Sequence, residues 1–402
     1  MKVGRLAPIA MCLLFGTVME PARALEDEAA LPAAAAGAAP GARTITHADL
    51  EAKYADSDSR FTEVDEVRIH YKDSGRGPAI LLIHGSMGDV ADWDGWVSVL
   101  RARHRVVRLD LPGFGLSGEI ANNNYSIDHT LSLLDGLMDA LNIPQFAIVG
   151  TSYGGPVAFR YAATRVDRVT ALVIMNSAGI EFGKQRVDPA TGKKEFYQVV
   201  SGAAPVTREF VEKGLSGAFN DAGHIPAGWI DRKLDFLNAI GRNREGAIMV
   251  SQYVRGNPEQ VLAHVRAPTL VLWGAAERSL SLSTADRFVA ALTHAGDVRK
   301  ALIDRGDHAM HIEWPKQTAH EVEQFLDGHI SPRHAAGANG PVPPHDAANA
   351  SFSERLESLP PNPKLPALDW YRPVARLADA PRPFSKTASL RIKASSGRLW
   401  TK

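Results

Sequence analysis

The chain has a single cysteine, Cys12, in 402 residues. A disulfide framework is therefore excluded, and no Cys/His cluster has the spacing of a zinc site. Net charge is missing too, because Lys+Arg and Asp+Glu are each 45. With no basic excess to neutralise phosphates, a nucleic-acid partner is not expected. Long hydrophobic runs are also absent. The apolar stretch Ile9–Met19, broken by Gly16 and Thr17, is too short to cross a bilayer comfortably as a permanent helix. No glycine-rich loop carries the lysine of a phosphate-binding motif. Neither a metal nor a cofactor is expected.

What is present starts with that same run. Met1 to Arg5 supplies positive charge ahead of it, and Ala22-Arg23-Ala24 follows with the small-x-small pattern that a signal peptidase accepts. We read residues 1–24 as an export signal cleaved after Ala24, placing the mature protein in the periplasm or outside the cell. An uncleaved amino-terminal anchor is the alternative. Ile9-Ala10-Met11 lacks the small residue that a lipoprotein signal places just before its cysteine. Once the signal is removed, no thiol remains to act as a nucleophile, and no stable membrane span remains.

Residues 25–45 are Ala-rich with Pro and Gly breaks and read as a flexible leader. At the far end, residues 331–402 hold 11 of the 25 prolines and 11 Lys/Arg against five Asp/Glu. No apolar period is sustained there, so this segment reads as a disordered, mildly basic tail.

Between the ends, short apolar runs alternate with helix-like stretches, which is the pattern of a mostly parallel sheet flanked by helices. The expected strands are Val67–Tyr71, Ala79–Ile83, Arg105–Leu109, Phe146–Val149, Thr170–Met175, Thr269–Trp273 and Arg299–Ile303. Most are rich in Val, Ile and Leu, as strands buried on both faces must be. Ser126–Leu141 reads as a helix with Leu131, Leu134 and Leu137 on one face. Residues 46–179 and 267–328 form the expected α/β core. Residues 180–266 interrupt the alternation and read as a helical cap inserted after the sixth strand of such a sheet.

Gly150-Thr151-Ser152-Tyr153-Gly154 follows one expected strand directly and precedes a helix-like stretch. G-x-S-x-G in a strand–turn–helix setting describes a nucleophile elbow, with Ser152 on a strained turn at a helix N-terminus. A serine hydroxyl needs a base, and the base needs an orienting acid. His308, in the loop after the last strand, is the candidate base, with His311 nearby as the alternative. Glu277, after Thr269–Trp273, is the candidate acid; the competing reading pairs it with Arg278 at the surface. The other acid position, just after Thr170–Met175, is Asn176, which carries no charge. Two backbone N–H groups are expected to hold an oxyanion. They are those of Tyr153 and of Ser86, in the loop His84-Gly85-Ser86-Met87-Gly88. His84 reads as a structural hydrogen-bonding residue.

Gly113-Phe114-Gly115-Leu116-Ser117-Gly118 matches the dinucleotide-binding spacing. Loop-like sequence follows it, however, where a helix would have to receive the pyrophosphate. NAD binding is not expected.

Taken in order, His84-Gly85, Asp110-x-Pro112-Gly113-x-Gly115-x-Ser117, the elbow, Gly274-x-x-Glu277 and His308…Glu313-x-Pro315 resemble the α/β-hydrolase superfamily. The likeness is to its bacterial cap-bearing serine hydrolase branch, over about residues 46–328. The resemblance implies the α/β-hydrolase fold, the cap and the order Ser, acid, His. Two departures stand out. The acid is Glu277 where this branch usually has aspartate. Haloalkane dehalogenases and cap-bearing epoxide hydrolases carry an aspartate nucleophile where this chain has Ser152, which argues against both activities.

The expected reaction is acyl transfer to water, with an ester-like bond as the leading reading. The same residues could cleave a carbon–carbon bond, a lactone or an amide, or perform perhydrolysis. An inactive binding protein on a hydrolase scaffold is the reading of another class. The expected partner is a small molecule with an apolar group. Phe196, Tyr197, Phe210, Phe219, Trp229, Phe236 and Tyr253 are candidates to line its pocket, or to be the cap's own core.

Overall fold

A computed structural model of the protein describes residues 45–180, 206–239 and 257–330. The export signal, all of the leader but Ile45, and the tail lie outside the described residues. So do residues 181–205 and 240–256 of the insertion.

Eight strands form one sheet in the order β1-β2-β4-β3-β5-β6-β7-β8. They are β1 (Arg60–Val64), β2 (Val67–Ser74), β3 (Ala79–Ile83), β4 (Arg105–Leu109), β5 (Phe146–Ser152), β6 (Val169–Ser177), β7 (Thr269–Gly274) and β8 (Val298–Ile303). The first two pairings, β1 with β2 and β2 with β4, are antiparallel; the rest are parallel. All seven expected strands are present, and β1 is an addition. Asp65 and Glu66 join it to β2 with φ of 47° and 61°, the left-handed pair that a two-residue hairpin turn requires.

The apolar composition of the central strands follows from helices covering both faces. In β3 every residue is buried, and alternation sends Leu81 and Ile83 to one core and Ile80 and Leu82 to the other. Burying each such side chain contributes about 1.5–3 kcal/mol. One face carries α3 (Ile127–Ala140), which Ser126 caps as expected, and α4 (Gly154–Thr164). Helix α2 (Asp94–Leu100) and the final helix, Pro315–His329, cover the other face. They are tied together by the Trp96 Nε1–H donating to Thr318 Oγ1 at 2.8 Å.

Three described α-helices, Arg208–Ser216, Trp229–Asn238 and Pro258–Leu262, belong to the insertion between β6 and β7. Phe219, Val211 and Trp229 pack with Met87 and Ala309 of the core. Among the described residues no helix is long and apolar enough to cross a membrane.

Candidate active site

β5 ends at Ser152 and α4 begins at Gly154, leaving one residue for the turn. Ser152 has φ of 50°, and a left-handed non-glycine residue stores on the order of 1–3 kcal/mol of strain. The flanking glycines permit it. A Cβ on Gly150 would lie 2.2 Å from the Gly154 carbonyl oxygen, and one on Gly154 would lie 2.5 Å from that of Ile83.

The loop after β3 crosses directly over this elbow. A Cβ on Gly85 would come within 2.9 Å of the Ser152 Cβ. Gly88 N–H closes the turn on the Gly85 carbonyl at 3.0 Å, with Met87 left-handed. His84 holds the loop in place: Nδ1–H donates to the Gly85 carbonyl at 2.7 Å, while Nε2 accepts from Leu111 N–H at 3.0 Å. Ser86 is thereby set in the wall of the pocket that contains Ser152, and Tyr153 is buried at the start of α4.

His308 and Glu277 meet at the carboxyl ends of β7 and β8. His308 Nδ1 and Glu277 Oε2 are 2.8 Å apart, and both side chains are fully buried or nearly so. The other Glu277 oxygen accepts from Ser279 N–H at 2.7 Å and Leu280 N–H at 3.2 Å. A carboxylate so held donates nothing, so Nδ1 of His308 carries the hydrogen. The surface pairing of Glu277 with Arg278 does not occur. Arg278 instead pairs with Asp307, and its guanidinium reaches the Phe219 carbonyl in the insertion at 2.6 Å.

Asn176 stands at the other acid position and does different work. Its Nδ2 donates to the Asp307 carbonyl at 2.9 Å and the His308 carbonyl at 3.2 Å. Its Oδ1 accepts from Gly274 N–H at 2.9 Å. One amide thus binds the ends of β6 and β7 to the loop that carries His308.

Ser152 and His308 face the same pocket, whose empty volume is about 350 Å³ with its open mouth included. Gly85, Ser86, Met87, Gly88 and Thr151 form one part of its lining. Asp92, Trp229, His311 and Ile312 complete the described part. The expected aromatic lining is met by Trp229 alone among the described residues. Phe210 and Phe219 pack in the insertion's own apolar cluster, and Phe236 packs on Tyr54. Phe196, Tyr197 and Tyr253 lie outside the described residues.

Behind Asp92 and Trp229 lies an ion cluster that the sequence reading missed. Lys233 Nζ donates to Asp89 at 2.7 Å and Asp92 at 2.8 Å, and Arg232 pairs with Asp89 at 2.9 Å. Burial pushes Asp89 up, but Lys233 and Arg232 outweigh it and hold the carboxyl below its usual range. Burial raises Asp92, against the pull of Lys233. The partners are more than 140 positions apart in the chain, so local spacing gives no signal for them.

Met310–Glu313 is a separate short turn, and Pro315 opens the long helix. The Glu313 carboxylate accepts from Asn220 and Asp221 N–H at 2.9 and 2.8 Å, fastening the insertion to the core.

The Gly113–Gly118 loop holds a carboxylate of its own chain. Asp110, fully buried, accepts from Val90 and Leu116 N–H at 2.7 Å each and pairs with His70 Nδ1 at 2.7 Å. A Cβ on Gly115 would lie 2.1 Å from that carboxylate. There is no space for a pyrophosphate. Among the described residues no cluster of His, Cys, Asp and Glu could hold a metal ion.

The family model described as the alpha/beta hydrolase fold matches residues 78–315. A 2-hydroxy-6-oxononadienedioate/2-hydroxy-6-oxononatrienedioate hydrolase of Paraburkholderia phymatum is 29% identical over 268 residues, which is 63% of this chain and 88% of the relative. A 2-hydroxymuconate semialdehyde hydrolase of a Pseudomonas strain is 39% identical over 119 residues, 29% of this chain and 42% of the relative. A solved bacterial membrane phospholipase A has TM-score 0.56 and 26% identity over 67% of this chain and 86% of its own. A meta-cleavage product hydrolase from Pseudomonas fluorescens has TM-score 0.57 at 23% identity, over 67% and 97%. That last likeness bears on the fold alone.

Proposed function

The chain belongs to the α/β-hydrolase fold family, and we propose that it is a serine hydrolase that cleaves a carbon–carbon bond beside a carbonyl in a small-molecule substrate. The buried Glu277–His308 pair, set in the same pocket as the strained Ser152, carries the catalytic part of this reading. With Nδ1–H of His308 committed to Glu277, Nε2 takes the proton from Ser152 Oγ as that oxygen attacks the carbonyl carbon. The N–H groups of Tyr153 and Ser86 receive the negative charge on the carbonyl oxygen. Collapse expels the carbon leaving group, which takes up the proton from His308, and leaves an acyl group on Ser152. Water, activated by His308, releases that acyl group as a carboxylic acid and restores the serine. Glu277 stabilises the imidazolium in both halves.

The choice of bond rests on the relatives. They include a 2-hydroxy-6-oxononadienedioate/2-hydroxy-6-oxononatrienedioate hydrolase matched over 63% of this chain and a 2-hydroxymuconate semialdehyde hydrolase matched over 29%, so the ester expectation takes second place. It is retained because the phospholipase A likeness lies at 26% identity. We further propose that residues 180–266 cap the pocket and that residues 1–24 direct export, which amino-terminal sequencing of protein from fractionated cells would test.

The deciding assay gives purified protein 2-hydroxymuconate semialdehyde and p-nitrophenyl butyrate side by side. The semialdehyde should be consumed with the larger kcat/KM, and a fluorophosphonate probe should label Ser152. Turnover of the ester alone would sink the carbon–carbon reading. Unchanged turnover in Ser152→Ala would sink the serine mechanism. A wild type that neither turns over nor labels would favour a binding scaffold.

A further inference from the structure

Beside the Glu277–His308 contact runs a second bridge between the same two loops. Arg278 directly follows the acid, and Asp307 directly precedes the base. The Asp307 side chain is fully buried. Its Oδ1 accepts from His308 N–H at 2.8 Å and from Arg278 N–H at 3.2 Å, while its Oδ2 takes the Arg278 guanidinium. One carboxylate therefore holds the backbone on both sides of the gap that Glu277 spans. A glutamate has one more rotatable bond than an aspartate, so its 2.8 Å contact with Nδ1 depends on how far apart the loops are kept.

The insertion joins the same bridge. Arg278 Nη2 donates to the carbonyls of Gly217 at 3.1 Å and Phe219 at 2.6 Å. Between them, the Ala218 carbonyl accepts at 2.8 Å from the N–H of Ala309, the residue after His308. Three consecutive carbonyls of the insertion are thus held by the immediate neighbours of the acid and the base.

Charge favours the same arrangement. Burial first, and then the field of Glu277, pushes the Asp307 carboxyl up from its ordinary value, against the hydrogen bond from Arg278. Two carboxylates thus share one guanidinium at rest, and the imidazolium formed on His308 supplies the second cation. The other ionisable groups on this side leave that balance alone. Burial, then the fields of His308, Lys233 and His84, pushes His311 down to about 3, so it stays neutral. Lys233 is paired with Asp89 and Asp92, and Glu313 accepts from N–H groups of the insertion.

We propose that Arg278 and Asp307 are positioning residues for His308, clamping the base loop to the acid loop and to residues 217–219 of the insertion. The clamp keeps the imidazole within reach of Glu277 and favours its charged form during attack. The inference rests on Ser152 and His308 acting as nucleophile and base, but not on which bond is cleaved.

The test follows the rate of Ser152 labelling by a fluorophosphonate probe from about pH 5 to about pH 9. Labelling needs the neutral imidazole, so its midpoint reports the His308 titration. Asp307→Asn removes an anion beside the imidazolium and leaves Arg278 unmatched, so its midpoint should fall. Arg278→Gln removes the cation and should raise it, setting the two midpoints about half a pH unit or more apart. Both variants should label about tenfold or more slowly on the alkaline plateau. Arg278→Lys, which keeps the charge without the fork, should restore the midpoint but only part of the rate. Coincident midpoints overturn the inference even if labelling slows, because a weakened fold lowers the rate without separating them. Plateau rates within about twofold of the wild type overturn it as well. The Arg278 side chain is 35% exposed, so Arg278→Gln against the wild type serves if Asp307→Asn fails to fold. A wild type in which Ser152 never labels removes the serine reading too, which tells the two failures apart.

Discussion

Two glycine motifs follow two parallel strands of one sheet and arrive at opposite arrangements. After β5, Gly150 to Gly154 runs straight into a helix and leaves Ser152 left-handed in a pocket wall. After β4, Gly113 to Gly118 stays a loop and closes around Asp110. The elbow is tight because its glycines abut the backbone of β3 and α4, and Ser152 at its left-handed turn lines the pocket. The other loop is filled by its own carboxylate, which takes the N–H groups that a phosphate would have needed. Glycine spacing sets how sharply the chain turns; the groups packed against the turn decide what it holds.

The sharpest way to break this comparison is at the elbow. Ser152→Ala should lower kcat by about 10⁴- to 10⁶-fold while leaving the thermal midpoint nearly in place; a variant with a tenth of the activity would end the assignment. Glu277→Gln should cost about 10⁴-fold in kcat, because the imidazole loses the partner that fixes its tautomer and steadies its charge. Rates within tenfold of wild type would place the acid elsewhere.

At the β4 loop the effect should appear in stability. Asp110→Ala strands His70 and two backbone N–H groups in the core and should cost about 3–5 kcal/mol in urea unfolding. If the variant instead kept its stability and bound NAD, the carboxylate-filled reading of the loop would fall. Acid should erode the same contribution. Burial pushes Asp110 up, but the hydrogen bond and charge of His70 more than offset it, so its folded pKa lies below 3.8. The stabilisation is therefore complete above the unfolded value of about 4 and is lost as pH falls through the lower folded value. The gap between wild type and Asp110→Asn should narrow from pH 6 to pH 3; a constant gap would mean that the carboxylate's charge is irrelevant. The smallest expected effect belongs to Gly115→Ala. It forces a side chain into φ of 49° against Asp110, for about 1–3 kcal/mol measured by urea midpoint.

Much of the core was legible in the sequence because strands buried on both faces have few options but Val, Ile and Leu. β1 escaped notice because Arg60-Phe61-Thr62-Glu63-Val64 sits at the sheet edge, where partial exposure permits charge. Ser152, His308 and Glu277 were legible because each follows a strand at a fixed offset, and the structure brings Glu277 to His308 and sets His308 and Ser152 in one pocket. The remaining pocket wall was not. Lys233 meets Asp89 only through the insertion, and that contact leaves no periodic trace. In sequence alone His311 competes with His308 for the role of base, since no local pattern distinguishes a histidine paired with a carboxylate from one whose Nδ1 has no hydrogen-bond partner among the described residues. Asn176 is the converse case: absence of charge ruled it out as an acid, while its value lies in having both a donor and an acceptor.

That last residue bears on how such a chain can change. The insertion leaves the core after β6 and returns before β7, and Asn176, at the point of departure, braces the end of β6 to the far end of β7 and to the His308 loop. The insertion itself is tied to the segment that carries the histidine through Glu313 and Arg278, so a change in either part reaches the His308 loop.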